Sequence, residues 1–533
     1  MGGGAGRSHV RLAELVAALS LGVDLGFGQP MEHVLRQCLI ALRIADRAGL
    51  GEQDRVAVYY TALLVNVGCH ADAHEQARWF GDDIVLKSGK YRYELGSVRG
   101  ALAVMRLVGA GNPPLHRFRV GLEFAFSGYR QLDGMISQHA KLARTLAEQL
   151  ELPAAVRDGV GAAYEQWNGR GWPGELEADA IPVAARIAQL AEFMEVAYRV
   201  GGVASAMALA HRRAGRQFDP ALAGLLCADA AAIFGGLESV PAWPAVIASE
   251  PALAVELSAG QLDRALQAIA NFADLKSPFM LGHSVAVAGL AEEAGRRLRL
   301  PPDQVLMLRR AGFVHGFGRL GVSNSIWDRP GPLSAGEWER VRLYPYLTER
   351  MLRQSAALAP LGDIAVQVRE RLDGSGYPRG LSGGAIPVLA RVLGAADTYA
   401  SMREPRPHRP ARSAEEAAAE MRAEVRAGRL DGPAADAVLE AAGHRQPRRR
   451  QAIAGLTARE IEVLILLARG MSNKQIAEHL VVTPKTAGNH VEHIYAKIGA
   501  SSRTAAAMFA VQHGLLPGPL ADEDGLVRAP WPG

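Results

Sequence analysis

The sequence predicts an all-α protein on three observations: apolar residues recur at helical spacing along most of the chain, short Gly/Pro breaks separate those stretches, and no run of alternating strands is visible. Val285 to Leu298, Ser413 to Leu430 and Ala435 to Ala442 are examples of the amphipathic helices. At 533 residues the chain exceeds a single hydrophobic core, and roughly two to four domains are expected. Its 49% apolar and 21% charged content is that of an ordinary globular protein. The apolar runs stay short of the roughly 18 residues that would suggest a membrane span. Residues 1–9 are Gly-rich and predicted flexible, and Glu14 and Asp24 interrupt the apolar stretch after them, so it does not read as a secretion signal. A cytoplasmic location is expected. Cys38, Cys69 and Cys227 are far apart and lack C-x-x-C spacing, which suits a reducing compartment and excludes a cysteine zinc module.

An internal repeat organises the body. Glu165-Gln-Trp-Asn-Gly-Arg-Gly-Trp-Pro173 parallels Glu370-Arg-Leu-Asp-Gly-Ser-Gly-Tyr-Pro378, and each is followed by Ala-Ile-Pro-Val and then an arginine, Arg186 or Arg391, at a constant offset of 205 residues. Upstream, His33 pairs with His283 and Gly68 with Gly318 at an offset of 250. Segments that keep their order in this way predict a duplicated helical domain, copy 1 over 10–240 and copy 2 over 255–443. The change of offset gives copy 1 about 45 extra residues between Ala71 and His139. Arg403 to Ser413 reads as a loop, 444–454 as a basic linker, and 517–533, Pro/Gly-rich and acidic, as a disordered tail.

Charge is concentrated at one end. Residues 444–516 hold ten Lys/Arg against four Asp/Glu, a net of +6, and the tail from Pro517 holds one Arg against three acids, a net of −2. The remaining 443 residues therefore balance at zero within the total of +4. A basic module on a neutral body is the footprint of a polyanion partner.

That basic end carries helix-start signals. Thr457-Ala-Arg-Glu460 and Ser472-Asn-Lys-Gln475 are capping boxes, and Thr483-Pro484 is a hydroxyl N-cap with proline at the first helical position. Ile461, Leu464 and Leu467, then Ile476, Ala477 and Leu480, then Ala487, Val491, Ile494 and Ile498 recur at helical spacing. Only Val481 and Val482 separate the second helix from the third, which describes a helix-turn-helix whose second helix can enter the major groove of DNA. The outer face of that helix bears Lys485, Thr486, Asn489, His493 and Lys497, with Arg503 just beyond it. Lysine and arginine suit phosphates, while asparagine and hydroxyls reach base edges.

From Leu456-Thr-Ala-Arg-Glu460 through Asn473-Lys-Gln-Ile-Ala-Glu478, Thr483-Pro-Lys-Thr486, Asn489-His-Val491 and Lys497-Ile-Gly499 to Ser502-Arg503, residues 455–516 resemble the LuxR-type (GerE) helix-turn-helix family. The resemblance implies a four-helix DNA-binding domain that binds promoter DNA as a dimer, with Thr483, Lys485, Thr486, Asn489, His490, His493, Lys497 and Arg503 as candidate contacts. Ala487-Gly488 departs from the family pattern, and the glycine is expected to cost roughly 1 kcal/mol of helix propensity.

Gly374-Ser-Gly-Tyr-Pro378 after Glu370, with Gly282-His-Ser284 and His315-Gly-Phe-Gly-Arg319 upstream, resembles the HD-GYP branch of the HD phosphohydrolases, and copy 1 is a fainter version. Active members are helical bundles that hydrolyse cyclic di-GMP with two or three metal ions, which demands converging carboxylates and imidazoles. By that resemblance His283, His315 and Asp397 stand at ligand positions, but Gly316, Tyr344, Val368 and Arg369 replace the others. In copy 1 His33 survives, Val65-Asn66 replaces the His-Asp pair, and Glu192 stands for the later Asp. Both copies are therefore read as degenerate, with no catalytic residue and no cofactor expected unless a single divalent metal sits at His283, His315 and Asp397. A separate group, His70, Asp72, His74 and Glu75, is read as a solvated loop or helix start.

Three functions follow. The first is a transcription regulator, a homodimer whose helical body senses a small molecule or protein. The second is a metal-dependent phosphohydrolase tethered to DNA, and the third is a protein-interaction scaffold.

Overall fold

The computed structural model describes residues 10–91, 105–110, 113–124, 129–251, 254–444, 453–513 and 515. The predicted flexible start, all but the ends of the basic linker, and the acidic tail lie outside them. Among the described residues the strands are β1 (Val10–Arg11) and β2 (Glu256–Leu257), one antiparallel pair, and the rest of the regular structure is helical.

The first half contains α1 (Leu12–Gly26), α2 (His33–Arg47), α3 (Glu52–Leu64), α4 (Tyr129–Gln149) and α5 (Val183–Arg213), the last interrupted by non-helical backbone at Gly201 and Gly202. The second half contains α6 (Ala259–Asp274), α7 (His283–Arg297), α8 (Pro302–Val314), α9 (Tyr344–Leu352) and α10 (Val388–Arg403). Helices α2 and α3 begin 250 residues before α7 and α8, and α5 begins 205 residues before α10, the same two offsets as in the motifs. Local chemistry repeats too. Each His-bearing helix follows a left-handed residue, Glu32 (φ 80°) or Gly282 (φ 76°). A buried upstream aspartate accepts a backbone N–H in its first turn: Asp24 from Val34 at 3.1 Å and Asp274 from Ser284 at 2.8 Å. Such capping satisfies donors that have no partner within the helix.

The described residues of the two copies fall in one compact unit. Helix α1 is apolar on nearly every side, so it cannot pack in one copy alone. One continuous core runs from Val10 and Leu19 through Leu266 and Phe317 to Met351 and Ala365. Within the extra residues of copy 1, Asp83 is fully buried and accepts from Ser323 Oγ and the Asn324 N–H of copy 2, each at 2.8 Å, with Lys87 at 2.9 Å and Lys276 at 3.5 Å. A buried carboxylate is tolerated because it is fully paired, and here the pairing crosses the repeat boundary. Copy 2 keeps a further core of its own around Val287, Tyr344, Leu393 and Val438.

The second compact unit, residues 446–533, contains α11 (Ala458–Ala468), α12 (Asn473–Leu480), α13 (Pro484–Ile498) and α14 (Arg503–Gln512). Both expected capping boxes form, and Thr483 Oγ1 accepts the Thr486 N–H at 3.1 Å. Ile461, Leu464, Leu467, Ile476, Ala477, Ala487, Val491 and Ile494 make the core. Val481 closes the turn in the left-handed region at φ 52°, an uncommon conformation for a β-branched residue. A Cβ added at Gly488 would meet only Asn473 Nδ2 at 3.7 Å. Gly488→Ala should therefore stabilise this unit by about 0.5–1 kcal/mol, seen as a raised melting temperature, and a lowered one would show that the glycine is needed for packing.

Candidate functional site

The second copy brings three residues from distant elements together. His283 opens α7, His315 follows α8, and Asp397 lies within α10; all three are fully buried. His283 Nδ1–H donates to Glu404 at 2.9 Å and His315 Nδ1–H to the Gly312 carbonyl at 2.7 Å, so both Nε2 lone pairs face inward. Asp397 Oδ1 lies 3.1 Å from His283 Nε2 and 3.6 Å from His315 Nε2, and the two Nε2 atoms are 3.4 Å apart. Three electron-rich atoms so close repel one another unless a cation or donor joins them. Arg319 supplies it. Its Nη2 lies 3.2 Å from His283 Nε2, 3.4 Å from His315 Nε2 and 3.7 Å from Asp397 Oδ1, while its Nε and Nη1 are buried without a partner among the described residues.

Arg369 adds a second guanidinium, 2.9 Å from Asp397 Oδ2, and donates from Nε to Tyr344 Oη at 2.9 Å. Burial alone would raise the Asp397 pKa, but the Arg369 guanidinium beside it holds it well below the usual carboxylate range. Burial pushes His315 down to about 4, so its ring is neutral. Gly316 makes room for this arrangement, since a Cβ there would stand 3.0 Å from Arg319 Nη1. Beside the centre is a cavity of about 610 Å³ lined in part by Arg319, Arg369, Arg406, Trp327, Tyr344 and Tyr377. The Gly-rich loop is fastened by Glu370, whose carboxylate accepts the N–H groups of Arg379 and Leu381, each at 2.8 Å.

In the first copy Asn66 Nδ2 donates to Glu192 Oε1 at 2.7 Å, near His33, with Val65 at the position that His315 holds in copy 2. Lys90, from the extra residues, donates to Glu192 Oε1 at 2.7 Å and Asn66 Oδ1 at 3.1 Å. The rings of Phe27, Tyr91, Tyr164 and Phe193 surround its ammonium at 5.3–5.9 Å. Tyr91 Oη donates to Glu192 at 2.9 Å and lies 3.4 Å from His33 Nε2.

The group His70 to Glu75 lies at a helix start, as expected, with Asp72 at the N-cap of Ala73–Phe80, but it is not a solvated cluster. His70 is buried and donates from Nε2 to the Phe272 carbonyl at 2.7 Å, Asp72 pairs with His139 at 2.6 Å, and His74 pairs with Asp328 at 2.9 Å. His70 and His74 stitch the copies together, since Phe272 and Asp328 belong to copy 2, while the Asp72–His139 pair lies within copy 1. His139 itself was missed from sequence, although the 205-residue offset carried back from Tyr344 lands on it. Burial alone would lower it, but the negative charges of the facing Cys69 sulfur and Asp72 push it up to about 9.

In the helix-turn-helix unit Lys485, Thr486, Asn489 and His493 lie exposed along one side of α13, with Thr483 exposed at its start and His490 partly covered. Lys497, exposed on the same helix, and Arg503 also have partners within the unit. Lys497 Nζ pairs with Glu460 Oε2 at 2.7 Å, and Arg503 donates to the Met471 carbonyl at 2.6 Å and to Asn473 Oδ1 at 3.1 Å. Hydrogen bonds from Lys497 and the Thr457 N–H hold Glu460 down to about 2. Both cations thus fasten α13 and α14 to the earlier helices.

A fold of this kind, with a buried His/His/Asp centre and a Gly-rich loop, defines a class that comparison with known proteins identifies. The family model described as HD domain matches residues 133–222 and 267–433, and that of bacterial regulatory proteins, luxR family, matches 454–510. The chain joins an HD-domain region to a luxR-family domain. Among its relatives, the 3'3'-cGAMP-specific phosphodiesterase 3 of Vibrio cholerae is 29% identical over 414 residues, 77% of this chain and 90% of that protein. The 3'3'-cGAMP-specific phosphodiesterase 1 of the same organism is 34% identical over 171 residues, 32% of this chain and 40% of that one. A crystal structure of a cyclic GMP-AMP specific phosphodiesterase of V. cholerae matches with a TM-score of 0.57 and 26% identity, covering 82% of this chain and 99% of that chain. No described helix is long and apolar enough to cross a membrane.

HD domains are metal-dependent, so the centre of copy 2 can be tested against an ion. His283, His315 and Asp397 offer three donor atoms. With Arg319 Nη2 they form a near-tetrahedron whose edges run from 3.1 to 3.7 Å. The middle of such a figure is about 2.1 Å from each corner, the length of a metal–imidazole bond. The spacing of the three donors suits a metal, but the fourth corner does not. A guanidinium nitrogen has no lone pair to give, and its charge would face the ion at bonding distance. As folded, the donor set does not fit a divalent cation.

Proposed function

We propose that the protein is a transcription regulator that binds promoter DNA through residues 455–516 as a homodimer, with the HD region as its sensory and dimerisation element. The observation that carries this reading is the luxR-family unit with a polar, exposed stripe on its third helix. Lys485 serves phosphates and Asn489 reads a base edge, while Lys497 and Arg503 support the helix rather than touch DNA. The arginine-lined cavity beside His283 is where a small anionic signal would fit.

The test takes an operator found by mapping genomic occupancy and titrates salt against binding to operator and scrambled duplexes. Lys485→Ala should weaken both equally and lower the salt dependence by about one counterion, whereas Asn489→Ala should cost about 1–3 kcal/mol on the operator alone. Equal losses on both duplexes for both variants would sink these roles. No occupancy at promoters would sink the regulator reading itself.

A second reading, phosphodiesterase activity on a cyclic dinucleotide, is favoured by the names of the relatives. Turnover by the purified protein that His315→Ala abolishes would support it against the first.

A further inference from the structure

Both halves of the HD region have a side-chain cation at their centre. In copy 2 it is Arg319, whose Nη2 faces His283, His315 and Asp397 at 3.2, 3.4 and 3.7 Å. In copy 1 it is Lys90, whose Nζ faces Glu192 and Asn66 at 2.7 and 3.1 Å inside four aromatic rings. The two cations come from different places. Arg319 belongs to the short turn after His315, while Lys90 belongs to the extra residues that copy 2 lacks.

We propose that these side chains are permanent internal replacements for a metal ion, so that neither half of the region takes up a divalent cation when folded. Two features beyond proximity support this. The first is room: a Cβ at position 316 would stand 3.0 Å from Arg319 Nη1, so that the guanidinium would have to shift by a few tenths of an ångström, and a carboxylate there would add the ligand that a metal needs. The second is electrostatic balance. Asp397 already faces two guanidinium groups, Arg369 at 2.9 Å and Arg319 at 3.7 Å, and Glu192 faces Lys90 at 2.7 Å. A further double charge would meet net repulsion in a buried site where screening is weak.

The experiment measures bound metal and thermal shift on the full chain after exposure to manganese or zinc ions, with and without a chelator. The wild type should retain far less than one equivalent, and its melting temperature should respond neither to metal nor to chelator. Arg319→Met keeps the length of the side chain and removes its charge, leaving His283, His315 and Asp397 to face a vacant corner. That variant should bind zinc at least about a hundredfold more tightly than wild type, and the added Arg319→Met/His315→Ala pair should lose the gain. Stoichiometric metal on the wild type, with a melting shift reversed by chelator, would overturn the proposal. A folded Arg319→Met protein that still ignores zinc would overturn the role of Arg319. If that variant does not fold, the wild-type measurement still decides, and Lys90→Met poses the same question to copy 1.

Discussion

Replacing Asp397 with alanine is expected to destabilise the HD region by about 3–5 kcal/mol, because it leaves buried positive charge without its counter-ion. Asp397 is fully buried, and the Arg319 side chain facing it is only 8% exposed, so water offers little compensation once the carboxylate is gone. Urea unfolding of the full chain, followed through the transition of this region, measures the difference. The sign of its pH dependence follows from the depressed pKa of Asp397. The stabilisation is fully present above the unfolded carboxyl value near about 4 and is lost as the pH falls below it, so the gap between wild type and variant should narrow in acid. The paired change Asp397→Leu/Arg319→Met should recover part of the loss, since removing both charges avoids the unpaired one. A single-variant cost below about 1 kcal/mol would mean that the centre is not the tight ionic cluster described above.

Gly318→Ala should be equally damaging, for a steric reason. A Cβ at Gly318 would overlap the Tyr344 carbonyl oxygen and stand 2.7 Å from the Thr348 backbone nitrogen. Those atoms belong to the first turns of α9, and Gly318 N–H is bound there to Thr348 Oγ1 at 2.8 Å. Backbone cannot swing aside as a long side chain can, so a loss of about 3 kcal/mol or more, or failure to accumulate as folded protein, is expected. The measurement is the same urea transition, with Gly488→Ala as the contrasting glycine change in open space. A Gly318→Ala protein as stable as wild type would show that the turn and α9 can move apart at little cost. Gly68 stands in the same relation to the His139 carbonyl in copy 1, so the close approach is a property of the repeat.

What the sequence determined by itself was the part governed by short-range rules. Helical periodicity, the capping boxes at Thr457 and Ser472, the Thr483-Pro484 start, the two repeat offsets and the helix-turn-helix all follow from residues within a few positions of one another, or from motifs that recur in order. The positions His283, His315 and Asp397 were legible as motif members, and their convergence is a consequence of the fold those motifs mark.

Tertiary structure alone decided the rest. That the two copies share one core could not be read locally, because α1 is apolar all round whether it packs against one copy or two. Lys497 is a lysine on an exposed helical face by periodicity, yet Glu460, 37 positions away, claims its charge. Arg319 and Lys90 reveal themselves as the occupants of the two centres only when distant elements meet, since a charged side chain takes its partner from what lies within a few ångströms, and that neighbourhood is set by packing rather than by sequence.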